Sequence, residues 1–327
     1  MSDAMLPLGK LPPELLAELL ARAPITDPEV VQGPGIGLDC AVVGLGEQLL
    51  VCKSDPVTFV TDQLGHYLVQ VNANDLATTG ARPRWLLLTL LLPEGKTTAS
   101  LAEEIMGQTW SACTDLGIAL IGGHSEITQG LHRPIASGTL IGVTRPGRLI
   151  TPRGARAGDR LLLTKSVPIE GTAILAREFP QRLSDMLTPQ ELHQAQNYLF
   201  SPGISVVRDA QAAIAAGRVS AMHDPTEGGL SAALWELAQA SGCSLRVNPG
   251  NVRISPLSAR ICRHFGIDPL ATIASGALLL TAPPADARRI AEALGDIAIP
   301  CTEIGEVGPG PAAVYQRTAR GAQPLPR

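Results

Sequence analysis

Four aspartates in this 327-residue sequence stand where an acid is out of keeping with its neighbours. Asp39 follows the glycine-rich Gly33-Pro-Gly-Ile-Gly-Leu38 and opens the apolar run Cys40-Ala-Val-Val43. Asp55 sits between Lys53 and Pro56 in an otherwise apolar stretch. Asp75 falls in Val71-Asn-Ala-Asn-Asp-Leu-Ala-Thr-Thr-Gly-Ala-Arg-Pro83, and Asp224 begins Asp-Pro-Thr-Glu-Gly-Gly-Leu230. Carboxylates gathered at the ends of apolar elements are the hard oxygen donors with which a protein holds hydrated magnesium against a polyphosphate. The bland reading is four unrelated turn or capping aspartates. Spacing alone leaves both open.

The elements that must carry these residues are legible from periodicity. Leu64, Tyr67, Leu68, Val71 and Leu76 fall at helical spacing, which predicts a helix that stops at Gly80 and carries Asn72, Asn74 and Asp75 in its C-terminal half. A carboxylate beside two amides there needs partners, from neighbouring backbone or from a metal or phosphate-bearing ligand. Residues 49–60 and the block Trp85–Leu92 read as strands, and 97–116 as a helix opened by Thr97 or Thr98 and closed by Gly117. Residues 118–121 predict a short buried strand running into Gly122-Gly-His-Ser-Glu126. Such a turn can present backbone N–H groups to a phosphate. His124 and Glu126 are the proton-transfer candidates in it, although a turn can also simply satisfy a histidine. The helix expected after Asp224 begins inside its own motif, which sets free N–H groups beside Thr226 and Gly228.

Length and composition bound the rest. The chain is long enough for two domains, and a Pro-, Gly- and Arg-rich stretch from Arg145 to Asp159 marks the junction, giving 1–148 and 149–327. The first 30 residues form a helical extension, with an amphipathic helix over 12–23. Both halves mix strands and helices without strict alternation, so the fold class is α+β with mixed α/β character and not an eight-unit barrel. A net charge of -4 without a basic run gives no sign of nucleic acid or an anionic membrane as partner. The one intensely apolar block is too short to span a bilayer, and residues 1–10 lack a signal-peptide core. Six widely spaced cysteines read as reduced thiols of a cytoplasmic protein. The loop at Gly35 and Gly37 is neither a Rossmann fingerprint nor a Walker loop; its glycines form a plain turn or let backbone approach a ligand.

The order of these motifs resembles the ATP-binding superfamily that contains AIR synthetase, the hydrogenase-maturation protein HypE, thiamine-monophosphate kinase and selenophosphate synthetase. The segments Asn74-Asp-Leu-Ala-Thr-Thr-Gly-Ala-Arg-Pro83 and Asp224-Pro-Thr-Glu-Gly-Gly-Leu230 carry most of the resemblance, and HypE is nearest in look. The resemblance implies an N-terminal domain that builds a β-barrel shared with a second copy, a C-terminal α+β domain beside it, and ATP in the cleft. It implies magnesium on Asp39, Asp55, Asp75 and Asp224. It also implies a nucleotide site lined by Gly35, Gly37, Lys53, Asn74, the Gly122-Gly123 turn, Thr226 and Gly228. The expected activity is phosphorylation or activation of an oxygen on a small substrate; the alternative is a nucleotide-binding hydrogenase maturation factor that works through a partner protein. Three departures bear on this. The sequence ends at Arg327 where a HypE tail runs on to a cysteine, so HypE chemistry is expected to need a thiol supplied in trans. Gly123-His-Ser-Glu126 replaces Gly-Asp-Thr-Lys, and Leu38-Asp39 replaces Asp-Asp.

Overall fold

The structure, a computed structural model, describes residues 5–325 apart from 7, 10, 36, 59, 61, 319 and 320. Most of residues 1–10, Ile36 of the glycine loop and Pro326-Arg327 of the tail therefore lie outside the described residues or at their margin. After a short helix, α1 (Pro13–Leu20), the first sheet is built from β1 (Val30–Gln32), β2 (Ala41–Leu45), β3 (Gln48–Val57), β4 (Arg82–Pro93), β5 (Ala119–Thr128) and β6 (Ile135–Thr144). Its order is β1-β2-β3-β6-β4-β5, antiparallel except between β4 and β5. Helices α2 (Leu64–Thr78) and α3 (Ala99–Leu116) pack on it.

The second sheet comprises β7 (Arg160–Thr164), β8 (Ala221–His223), β9 (Ser244–Val247), β10 (Leu279–Ala282), β11 (Cys301–Gly308), β12 (Ala313–Thr318) and β13 (Gly321–Pro324). Its order is β13-β12-β9-β11-β7-β10-β8. Around it lie α4 (Ile169–Glu178), α5 (Pro180–Leu183), α6 (Pro189–Gln196), α7 (Val207–Ala216), α8 (Gly229–Ser241), α9 (Pro256–Phe265) and α10 (Pro284–Asp296). The architecture is α+β, as the sequence predicts. Sequence reasoning did not find β1, β12 and β13, which are short or mostly exposed. Among the described residues no helix is long and apolar enough to cross a membrane.

Helix α2 is the axis of the molecule. It lies on β3 and β6, against α3 on one flank and α7 on the other, and 13 of its 15 residues are buried. No face is therefore left for polar residues to reach bulk water. Leu68, Val69 and Leu76 are wholly enclosed, each contributing roughly 1.5–3 kcal/mol by leaving water. One core cluster runs from Val51 and Leu140 of the first sheet through Leu76 to Met222 and Leu280 of the second, so both sheets share a single apolar interior. The helix ends as expected at Gly80, whose φ of +75° is left-handed. A side chain there would also meet the carbonyl of Arg148. The N–H of Ile150 donates to the carbonyl of Thr79 at 2.9 Å, fixing the junction segment to the end of α2.

Two expectations are corrected here. Residues 122–126 do not form a turn. Strand β5 runs on to Thr128 past a register shift at Ile121, because β4 resumes the parallel ladder beyond it, pairing Leu87 with Gly122 and Leu91 with Glu126. Gly123 crosses so close to the Leu88 backbone that no Cβ fits, so this glycine serves strand passage, not ligand approach. Asn74 does not face a nucleotide site either. Its side chain is fully buried in the seam, where Nδ2 donates to the carbonyl of Ile204 and Oδ1 accepts from the N–H of Val206, both at 2.8 Å. It ties α2 to the segment that leads into α7.

Replacing Asn74 by alanine orphans a buried carbonyl and a buried N–H, each costing about 1–3 kcal/mol. The expected result is a loss of about 2–4 kcal/mol in urea unfolding, and a variant as stable as the wild type would show the clamp to be dispensable.

Candidate functional site

A cavity of about 570 Å³ opens between the two sheets. Its floor is made by local periodicity. Alternation along β3 points Lys53 and Asp55 to one side, and the four-residue spacing of Tyr67, Val71 and Asp75 stacks them on one face of α2. Gly35, Gly37 and Asp39 form one wall and Thr226 and Glu227 another, while Leu11 and Leu16 at α1 reach the rim. No cysteine is among the lining residues.

Lys53 sits at the centre of the floor. Its Nζ lies 2.8 Å from Asp75 Oδ2 and 3.3 Å from Asp55 Oδ2. Asp55 is held in register by Asn72, whose Oδ1 accepts from the Asp55 N–H at 3.1 Å and whose Nδ2 donates to the Leu68 carbonyl at 2.9 Å. Behind Asp75 lies Asp224, fully enclosed, and no described group donates a well-directed hydrogen bond to either of its oxygens. His223 beside it bonds Glu236 Oε2 through Nε2 at 2.6 Å, with Asp39 Oδ2 3.7 Å from Nδ1.

The electrostatics follow from crowding. Burial pushes Asp75 well above the usual carboxylate range, the charge of Asp224 adds to this, and Lys53 opposes both. Burial and Asp39 likewise raise Asp224. Lys53 opposes the rise at Asp224 as well. Lys53 itself is held charged: burial works against it, but Asp75, Asp55 and Asp39 outweigh that cost. Burial works against a charged His223, but the Glu236 bond together with the charges of Asp39, Glu236 and Asp75 outweighs it and raises the imidazole. Four aspartates thus face one ammonium and one imidazole.

With Asp75 and Asp224 buried and Asp39 and Asp55 partly exposed beside them, the excess of negative charge fits a divalent cation. Among the described residues no three His, Cys, Asp or Glu side chains converge into a ready metal cage. The donor set suits a metal that keeps water or phosphate oxygens in its shell, as magnesium does, better than one that needs a full protein cage.

At the far side of the floor is Glu170, placed by the first turn of α4. It is buried, accepts a hydrogen bond from the Ser275 N–H at 3.1 Å, and is pushed up by burial to about 7. The Tyr67 hydroxyl, also buried and lining the cavity, has no hydrogen-bond partner among the described residues.

Seven of the sequence-predicted residues therefore line one cavity: Gly35, Gly37, Asp39, Lys53, Asp55, Asp75 and Thr226. Asp224 lies directly behind. Gly228 does not line it; with φ +78° it turns the chain into α8. Gly122, Gly123, His124 and Glu126 do not line it either, since they run along β5, where His124 Nε2 and Glu126 Oε2 meet at 3.1 Å in an exposed pair. Tyr67, Glu170, His223 and Glu236 were missed. The Tyr67–Val71–Asp75 stripe was visible in the sequence as helical spacing; nothing in the local sequence marks Glu170.

Residues 37–144 match the model for the N-terminal domain of AIR synthase related protein, and residues 156–316 match the model for its C-terminal domain. A Methanocaldococcus jannaschii protein named for hydrogenase expression and formation is 29% identical over 300 residues, covering 88% of this chain and 84% of its own length. The carbamoyl dehydratase HypE of Cupriavidus necator is 29% identical over 246 residues, covering 73% of this chain and 65% of its own. Among solved structures, a HypE–HypF complex superposes with a TM-score of 0.77 at 20% identity, over 96% of this chain and 99% of that one. HypE in complex with ATP gives 0.73 at 21% identity, over 94% and 89%. AaThiL complexed with AMPPCP and TMP gives 0.71 at 22% identity, over 93% and 91%. Structural likeness at these identities speaks for the fold, and the two family matches speak for descent. The chain belongs to the AIR synthase related protein family.

Proposed function

We propose that this protein is an ATP- and magnesium-dependent enzyme that activates an oxygen atom of a small substrate by phosphoryl transfer. The observation that carries the reading is the under-neutralised cluster of carboxylates around Lys53, two of them buried, at the floor of a cavity of nucleotide size. The ATP and AMPPCP found with structures of the same fold support it. In this reading Asp39, Asp55, Asp75 and Asp224 hold the magnesium, and Lys53 neutralises phosphate charge. Gly35, Gly37 and Thr226 border the nucleotide. ATP with its metal supplies the transferable phosphoryl group and the neutralisation of its charge; the chain supplies position and field. Glu170 holds or takes up the acceptor's proton, and the Tyr67 hydroxyl orients the acceptor beside it.

The division at 148/149 belongs to the same proposal, as does a homodimer working in the cytoplasm. Strand β5 is a sheet edge with Ile121 and Ile127 more than half exposed, a surface that a second copy would cover while bringing His124 and Glu126 to the interface. A second reading, a nucleotide-binding maturation factor acting through a partner, is favoured by the hydrogenase-related names of relatives and by the HypE–HypF complex. ADP release with small-molecule acceptors would count against it.

Isothermal titration should show ATP binding that needs magnesium, weakened at least tenfold in Asp75→Asn; absence of binding, or an unchanged variant, overturns the proposal. Light scattering should give twice the chain mass, falling to one chain in Ile127→Lys. A third expectation concerns pH. Below about 4.5 Glu170 is protonated in both folded and unfolded chains; between 4.5 and about 7 the unfolded chain releases this proton while the folded one keeps it, so stability falls as pH rises. Glu170→Gln keeps an oxygen for the Ser275 N–H and removes that loss. It should gain up to about 3 kcal/mol over the wild type on going from pH 4 to pH 8. Parallel pH–stability curves for the two proteins would remove the buried-acid assignment.

A further inference from the structure

The Arg-rich junction is absorbed by none of the foregoing. Three surface cavities adjoin there, of about 700, 370 and 420 Å³. Arg148 lines the first and second, and Arg82 the second and third, so they form one groove. Arg156 and Arg218 also line the first, Arg145 the second and Arg84 the third. No aspartate or glutamate lines any of the three. Other surface arginines, such as Arg160, Arg246, Arg260 and Arg288, have carboxylate partners. Among the described residues none of these six does, although Arg84 stacks over Trp85 at 4.3 Å.

The backbone that carries them is held in place. Arg148 N–H donates to the Arg145 carbonyl at 2.9 Å, Gly154 N–H to Thr151 at 2.9 Å, and the Arg156 N–H to Asp159 Oδ2 at 3.0 Å. With Ile150 tied to Thr79, the backbone is already ordered and binding has only to order the arginine side chains.

We propose that this groove is a second ligand site, for a small molecule bearing two or more phosphate groups, seated in the largest cavity against Arg148, Arg156 and Arg218. Guanidinium forks match phosphate oxygens in pairs. The cavity is concave and of small-ligand size, whereas a nucleic acid would need an extended basic face and would meet a chain of net charge -4. The inference does not depend on the proposed enzyme activity. Val219 and Ser220, which line this cavity, lead into β8, which ends at His223 just before Asp224, so an occupant would touch the segment that enters that strand.

The test separates the two sites by metal dependence. Without metal the aspartate-lined cavity repels phosphate, while the arginine groove attracts it. Inorganic tripolyphosphate titrated calorimetrically into the full chain in EDTA should bind at one equivalent and weaken steeply with salt. Arg148→Ala/Arg218→Ala, at two exposed positions, should lose at least tenfold in this affinity and keep its magnesium–ATP binding. If melting shows the double variant unfolded, Arg148→Gln and Arg218→Gln singly take its place. No binding in EDTA, unchanged affinity in the folded variants, or tighter capture of single-stranded RNA than of tripolyphosphate would each overturn the proposal.

Discussion

A single ammonium among carboxylates sets the terms for the rest of the fold. Lys53 can remain charged at the floor of an enclosed cavity because Asp75 lies 2.8 Å away and Asp55 3.3 Å away. Asp75 can be buried in α2 because Lys53 is there. Removing one partner of such a pair leaves the other charge uncompensated, at a cost of several kcal/mol. Strand β3, helix α2 and the β8–α8 connection must therefore meet at one point. Asn72 fastens β3 to α2, and Asn74 fastens α2 to the segment before α7. The two amides flanking the acid on this helix hold the frame in which the acid works.

This explains which parts of the site could be read in advance. Asp39, Asp55, Asp75 and Asp224 each stand out locally, because an acid within an apolar stretch needs a reason. The pairing of Lys53 with Asp75 spans 22 positions and depends on how α2 packs over β3, which sequence spacing does not encode. Glu170 and His223 are harder still. Each is one polar residue in a short apolar context, and its importance comes from what packs over it: Ser275 from a distant loop, Glu236 from the following helix. Burial at those positions is a tertiary property.

The misread glycines teach a related point. A strand ending in Gly-Gly followed by polar residues is reasonably taken as a turn, since glycine favours turns and polar residues favour the surface. Here the polar residues are indeed at the surface, but on a strand, because β5 is an edge strand with no buried residue along its length. The glycines answer to steric contact with the Leu88 backbone. Asn74 was misassigned for the converse reason: next to a functional acid, a buried amide looks functional, yet its two hydrogen bonds consume it in structure. Helix limits, by contrast, were legible where a side chain itself opened the element, as at Thr98, whose hydroxyl accepts from the Leu101 N–H.

The net charge of -4 is the most misleading of the sequence-level numbers, because it averages two opposite fields. Between the sheets four aspartates crowd one lysine; along the junction six arginines line a groove that contains no acid. Both fields are organised by the same helix. Asp75 lies less than one turn before the end of α2, and Gly80, just past that end, packs on the Arg148 backbone. Fields of opposite sign sort an anion between them: a bare polyphosphate is repelled by the first and attracted by the second. The fixed geometry of α2 is what keeps the two from cancelling.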